Sequence, residues 1–266
     1  MCSILFTNKE ITDPKVNELL QKRGPDGTHT QSFGEYNFIH NLLSLTGDTT
    51  EQPVEQEGII VTFNGEIYNY LDIDPLAKSD IYSIITAYKK YGDKFIQYLD
   101  GEFALVLLDT NKQKIIFSSD IFKTKPLFYA FDEKYIGVST FETPLRHLGF
   151  PQVNRVIPNH SYVIDLEKQD IKTNIIKEFD LNQHKDNFDD WIKAFEKSIE
   201  KRASQSGDKK LFIGLSSGYD SGAIACALNK LKVDNKCYSI YASENPDIIN
   251  QRKKILNNVQ TINLTK

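Results

Sequence analysis

The spacing of apolar residues changes near residue 187, and that change confines the chain to two differently built domains. Before it, short β-like runs at 3–6, 36–40, 58–63, 103–108, 114–118, 126–130, 135–139 and 160–165 are bounded by Gly, Asp, Asn and Pro, as strands between turns are. Asp109-Thr110-Asn111-Lys112 and Asp132-Glu133-Lys134 each join two runs, and turn chemistry at such junctions makes hairpins and an antiparallel sheet system. Helical spacing at 14–22, 79–91 and 142–148 predicts helices layered on those sheets, an α+β domain over 2–180. After 187 the pattern is helix 188–202, strand 211–215, small-residue loop, helix 222–232, strand 237–241, helix 246–257 and strand 261–264. Strands alternating with helices predict βαβ units and a parallel sheet over 187–266, with the polar stretch 180–190 as linker. Doubly wound sheets carry about five or six strands, so three strands read as the opening part of a larger domain.

Composition excludes several classes. The formal net charge is −4 over 266 residues, with Lys and Arg scattered, which gives no electrostatic footprint for nucleic acid or an anionic membrane. No apolar stretch approaches the ~18 residues of a membrane helix, and the N-terminus lacks the basic and apolar regions of a signal peptide. Cys2, Cys226 and Cys237 form no CxxC pair, so neither a disulfide framework nor a zinc site is expected and a reducing, cytoplasmic location fits.

Three segments and one residue bear on chemistry. Cys2 follows the initiator methionine, which is normally removed before a small residue. The mature chain would then carry a thiol and a free α-amine on one residue, a nucleophile with its own base; the other reading is an incidental cysteine. Asn64-Gly65-Glu66 ends an apolar run. It is either a tight turn or an oxyanion hole made from the Asn amide and the next backbone N–H, with a carboxylate beside it for a substrate ammonium. Arg23-Gly24-Pro25-Asp26-Gly27 contains plain turn chemistry, which leaves Arg23 unexplained. Leu215-Ser216-Ser217-Gly218-Tyr219-Asp220-Ser221 lies between a strand and a helix. It is either a helix-capping turn or an anion-binding loop at a helix N-terminus, in which Asp220 implies an accompanying cation such as Mg²⁺. It is not a Walker A loop, because no Gly-Lys-Ser/Thr follows.

The order of these segments carries a resemblance. Cys2, Arg23-Gly24-Pro25-Asp26, 40–44, Asn64-Gly65-Glu66-Ile67-Tyr68-Asn69, Ser79-Asp80, Asp100-Gly101-Glu102-Phe103-Ala104 and Lys125-Pro126-Leu127-Phe128-Tyr129 occur in one sequence that resembles the class II, N-terminal-nucleophile (Ntn) glutamine amidotransferase domain. The 216–221 loop resembles the Ser-Gly-Gly-x-Asp-Ser loop of ATP pyrophosphatases, and the two together resemble glutamine-hydrolysing asparagine synthetase. The resemblance implies a four-layer αββα Ntn-hydrolase domain followed by the start of an ATP-pyrophosphatase domain. It implies that Cys2 attacks the glutamine amide, that Asn64 and Gly65 form the oxyanion hole, and that Arg23, Leu42, Ser44, Glu66 and Asp80 surround the glutamine. It further implies that Leu215, Ser216, Ser217, Gly218, Asp220, Ser221 and Ile240 contact ATP, with Mg²⁺ near Asp220. Ammonia passed through an internal tunnel would amidate an adenylated carboxylate, aspartate giving asparagine. Other acceptors on the same scaffold, and a degenerate regulatory subunit or a homodimer or partner chain completing the second domain, are the alternatives.

The sequence departs from the family pattern at four places. Leu42 stands where the family has an Arg that pairs with the glutamine α-carboxylate, a charge-assisted contact leucine cannot make. Ser217 replaces the first loop glycine, which is tolerable only if the backbone there avoids positive φ. Lys123 stands where a small residue is usual and Phe141 where an acidic one is. The later region that supplies the aspartate pocket is not within these 266 residues, which read either as part of a longer chain or as a short relative.

Overall fold

The computed structural model describes residues 2–44, 49–182, 184–207, 209–241, 244–256 and 258–263; the sequence-predicted helix end at Asn257 and strand end at Leu264 lie outside the described residues. The chain divides into two compact units, one ending at Asp180 and the other beginning at Leu181.

The first unit runs β1 (Ser3–Thr7), α1 (Lys15–Gln21), β2 (Gly27–Phe33), β3 (Tyr36–Leu42), β4 (Val54–Gln56), β5 (Ile59–Ile67), α2 (Tyr70–Ile73), α3 (Asp80–Tyr91), a 3-10 segment (Gly92–Tyr98), β6 (Gly101–Asp109), β7 (Lys114–Ser119), β8 (Phe128–Asp132), β9 (Tyr135–Ser139), α4 (Glu142–His147), β10 (Asn154–Arg155), β11 (His160–Asp165) and β12 (Asp170–Ile175). Two six-stranded antiparallel sheets result, in the orders β10-β8-β9-β1-β3-β2 and β12-β11-β7-β6-β5-β4. Ile4, Phe6 and Phe38 of one sheet pack on Ile60, Val106, Leu108 and Phe117 of the other. The outer face of the first sheet carries α1 and α4 through Leu5, Ile39, Val16, Leu20 and Leu145. The outer face of the second carries α3 through Val61, Leu105, Ile81, Ile84, Ile85 and Tyr88. The layers are therefore helix, sheet, sheet, helix. This explains the unbroken apolar run 103–108: Phe103, Leu105 and Leu107 enter the α3 core while Ala104, Val106 and Leu108 enter the inter-sheet core. Each fully buried Phe in these cores contributes about 1.5–3 kcal/mol.

Helix α3 shows how local sequence sets an element that the site needs. Its apolar residues recur at helical spacing, Lys89 and Lys90 complement the C-terminal dipole, and Gly92 ends it at φ 56. Strands β2 and β12 carry no comparable signal. Their residues are mostly exposed, so no apolar alternation marks them, and pairing with β3 and β11 alone defines them. Two of the unusual residues resolve here. Lys123 adopts φ 53, a left-handed conformation that accounts for a small residue being usual there. Phe141 lies under the Arg23 guanidinium, whose Cζ is 5.6 Å from the ring centroid, a cation–π contact.

The second unit contains α5 (Asp189–Ser204), β13 (Leu211–Gly214), α6 (Tyr219–Lys230), β14 (Asn235–Tyr241), α7 (Pro246–Ile255) and β15 (Val259–Asn263). The strands are parallel in the order β13-β14-β15. Ile213, Leu215, Cys237 and Val259 pack with Ala225 and Leu256 on the helix-covered face. Phe212, Ile240 and Ile262 occupy the alternate positions and are 72%, 50% and 46% exposed, whereas parallel sheets are ordinarily covered on both faces. The apolar stripe of α5 is likewise open at Phe188, Trp191 and Ile192. Helix α6 begins at Tyr219 rather than 222, so Asp220 and Ser221 belong to its first turn.

Candidate active site

Cys2 sits at the root of β1, beside the end of β3. The Leu43 N–H donates to Cys2 Sγ at 3.4 Å, and the thiol lies 3.8 Å from the Leu43 carbonyl oxygen. Arg23, in the turn after α1, donates through Nε to the Cys2 carbonyl at 2.9 Å, which ties the nucleophile's backbone to that turn. Burial pushes the Cys2 thiol up; the Leu43 N–H opposes this and Glu66 adds to it. The thiol therefore needs a base to ionise near neutrality.

Side chains alternate along strands, so β1 places Cys2 and Ile4 toward the inter-sheet space. On the facing sheet Asn64 lies opposite Ala104, and Ser119 opposite the same Ala104; Ala104 belongs to the inter-sheet core, and directly opposed residues share a face. Asn64 is 0% exposed, and neither its Oδ1 nor its Nδ2 has a partner among the described residues. Ser119 Oγ and His40 Nε2 are also buried without partners there. His40 lies opposite Ile4, and burial, aided by His29, drives its imidazole down to about 4, so it is neutral at physiological pH. Buried polar atoms are almost always paired; the Asn64 amide, Ser119 Oγ and His40 Nε2 are exceptions among the described residues, all on faces turned to the inter-sheet core. Ser119 carried no sequence signal, being an ordinary serine at a strand end.

Gly65 follows Asn64 at φ 148, and a Cβ there would lie 2.0 Å from the Glu102 carbonyl oxygen. Only glycine fits, and its backbone is thereby held against β6. Asp80, the first residue of α3, accepts the Ile67 N–H at 3.0 Å. Burial pushes its carboxyl up to about 7; the Ile67 N–H opposes the shift and Glu66 increases it. A buried carboxyl beside a second carboxylate is a place that a cation would relieve. Leu42 ends β3, half-buried, its carbonyl accepting the Asp26 N–H at 3.0 Å. Asp26 in turn accepts the Ser44 N–H at 2.8 Å. Cys2, Asn64, Gly65, Glu66 and Asp80 thus cluster through geometry and electrostatics, while Leu42 brings no charge and Ser44 is tied through its backbone to Asp26.

The first 170 residues match the family model described as the glutamine amidotransferase domain. The chain belongs to the glutamine amidotransferase domain family. Among curated relatives it is 33% identical over 124 residues to an asparagine synthetase [glutamine-hydrolyzing] 2 of Oryza sativa subsp. japonica, covering 43% of this chain and 21% of that one. It is 28% identical over 251 residues to a putative asparagine synthetase [glutamine-hydrolyzing] 1 of Methanocaldococcus jannaschii, covering 82% and 45% respectively. The chain thus spans less than half the length of these relatives. Among solved structures, a glutamine phosphoribosylpyrophosphate amidotransferase from B. subtilis matches with TM-score 0.52 at 13% identity over 89% of this chain and 65% of that one; at this identity the likeness concerns fold. Glutamine is the substrate of an amidotransferase domain of this kind.

The loop of the second unit is organised differently. Ser221 Oγ accepts the Ser216 N–H at 3.1 Å and meets Ser216 Oγ at 2.9 Å. Ser217 has no positive φ, so serine is accommodated without strain. Leu215 is buried in the core and offers the loop only its backbone; Asp220 is exposed. Ser217 donates through both N–H and Oγ to the Glu244 carboxylate, the hydroxyl at 2.6 Å; these hydrogen bonds hold that carboxyl below its usual range. Among the described residues no group of three His, Cys, Asp or Glu side chains is arranged for a metal ion, and no helix is long and apolar enough to cross a membrane.

Proposed function

We propose that this amidotransferase uses Cys2 to hydrolyse glutamine to glutamate and ammonia, and that the ammonia amidates an ATP-activated carboxylate, aspartate giving asparagine. The observation that carries the first half is the fully buried Asn64 amide, without a partner among the described residues, on the inter-sheet face that Cys2 shares. Once Met1 is removed, the Cys2 α-amine takes the thiol proton, and Sγ bonds to the glutamine amide carbon as the carbonyl electron pair moves onto oxygen. Asn64 Nδ2 and the Gly65 N–H donate to that oxyanion. The carbon–nitrogen bond then breaks, the nitrogen leaves as ammonia with the proton from the α-ammonium, and water cleaves the thioester, returning the thiol. Glu66 and Asp80 hold the substrate ammonium, and Arg23 keeps the Cys2 backbone in place.

The second half rests on the relatives' names and on a loop of small residues, 216–221, at the N-terminus of the 12-residue helix α6. There Ser216, Ser217, Gly218 and Ser221 suit an anion, and Ile240, half-exposed at the end of β14, suits an adenine ring. ATP would activate the aspartate side-chain carboxylate by transferring its adenylyl group with release of pyrophosphate, and ammonia would then displace AMP; Asp220, exposed in the first turn of α6, would hold the accompanying Mg²⁺. A second reading, a glutaminase subunit that needs a partner chain, is favoured by the open apolar face at Phe212, Ile240 and Ile262. The test is glutamate release from glutamine by wild type and Cys2→Ala, followed by pyrophosphate release with ATP and aspartate. Loss of glutamate release in the variant supports the nucleophile, and equal activity overturns it. Pyrophosphate release only on adding a second chain favours the partner reading.

A further inference from the structure

The anion seat of the 216–221 loop is filled by the chain itself. Glu244 arrives from the segment before α7, and its carboxylate takes both donors of Ser217, the backbone N–H and the hydroxyl. Ser217 Oγ also accepts the Asn245 N–H at 3.2 Å, which pins the arriving segment to the loop. Opposite stands Arg252 of α7, whose guanidinium donates to the carbonyls of Ser216 and Gly218, the latter at 2.8 Å. The guanidinium lies close against Gly222 in the first turns of α6, where a Cβ would come within 2.5 Å of Nη2. A further buried donor sits at the root of the loop. Ser239, 1% exposed, follows Tyr238, whose carbonyl accepts the Leu215 N–H at 2.7 Å, and its hydroxyl has no partner among the described residues. A carboxylate on paired donors beside a guanidinium is the arrangement a phosphate group would take, and Ser239 brings its unsatisfied hydroxyl on the strand that pairs at the loop's root.

We propose that Glu244 is an intrachain occupant of this seat that a pyrophosphate group must displace, and that Arg252, held on Gly222, receives the displacing anion. The inference rests on the nucleotide reading above and names two residues that reading does not contain. In the resting chain Glu244 balances the Arg252 charge and completes the loop's hydrogen bonds. An incoming pyrophosphate exchanges with it, taking the Ser217 donors and the guanidinium, and releases the 244–245 segment. A seat open about one-tenth of the time binds about tenfold more weakly than a permanently open one.

The experiment is isothermal titration of the full chain with inorganic pyrophosphate, comparing wild type, Glu244→Gln, Glu244→Ala and Arg252→Gln. The expected result is about tenfold tighter binding for both Glu244 variants and weaker binding for Arg252→Gln. Hydrogen exchange adds a direct reading: the Ser217 N–H should exchange faster in free Glu244→Ala than in free wild type, and pyrophosphate should restore its protection. Equal or weaker pyrophosphate affinity in both Glu244 variants overturns the proposal and leaves the nucleotide reading standing. Absence of binding by all four proteins overturns the nucleotide reading and the proposal with it.

Discussion

The two candidate sites solve opposite problems. In the first unit polar groups on the inter-sheet face are left wanting: the Asn64 amide, His40 Nε2 and Ser119 Oγ are buried without partners among the described residues, and burial raises the Asp80 carboxyl. In the second unit the loop donors are satisfied from within by Glu244 and the loop carbonyls by Arg252. The difference follows from how each is enclosed. Sandwiched sheets exclude water from the first and hold its unsatisfied groups apart at fixed positions, so function there is stored as unmet hydrogen bonding. The second lies on a sheet covered on one face, where neighbouring side chains reach the loop and pair with it. A preorganised site binds without rearranging, whereas a self-paired one has to exchange partners first.

The sharpest way to break the comparison is at Asn64. Asn64→Ala should lower kcat for glutamine hydrolysis about 10²–10³-fold, the usual loss of an oxyanion donor. It should also leave the thermal midpoint unchanged or raise it, since two unsatisfied buried atoms leave with it. A large drop in the midpoint would mean that Asn64 is a paired structural residue after all. The next effect is at Leu42. Leu42→Arg should lower KM for glutamine about 10–100-fold, the worth of a charge-assisted contact to the α-carboxylate; an unchanged KM would mean that another group already holds it.

The pH dependence gives a smaller, graded effect. Asp80 titrates near 7 in the folded chain, above its unfolded value. Its neutral form contributes stability that is fully present below the ordinary carboxylate range and is lost as pH rises through about 7. Ammonium binding needs the charged form, so KM should rise about tenfold per unit as pH falls below that value. Asp80→Asn should abolish this slope, weaken glutamine binding and raise the thermal midpoint at neutral pH. A KM that is flat across this range in wild type would remove Asp80 from the ammonium seat.

Much of the first unit was legible because its signals are local. Gly65 is required by its own φ and by the carbonyl across the strand, Asp80 by the start of a helix, and the 103–108 run by burial on both faces. Strands β2 and β12 were not, because exposed edge strands need no apolar alternation. The apolar stripe of α5 was legible, yet it does not report whether anything covers it. His40 was visible only as part of a motif and Ser119 not at all, since their lack of partners depends on what the facing sheet brings.

What the sequence by itself determined is the order of backbone conformations and the periodicity of each element, both set by neighbours within a few residues. The tertiary structure alone decided which polar groups lie unpaired. Asn64 and Ser119, 55 residues apart, come to lie on either side of Ala104 on the inter-sheet face. Glu244 reaches Ser217 from 27 residues away. Hydrogen bonding of side chains that distant is set by packing of whole layers, and no local pattern encodes it.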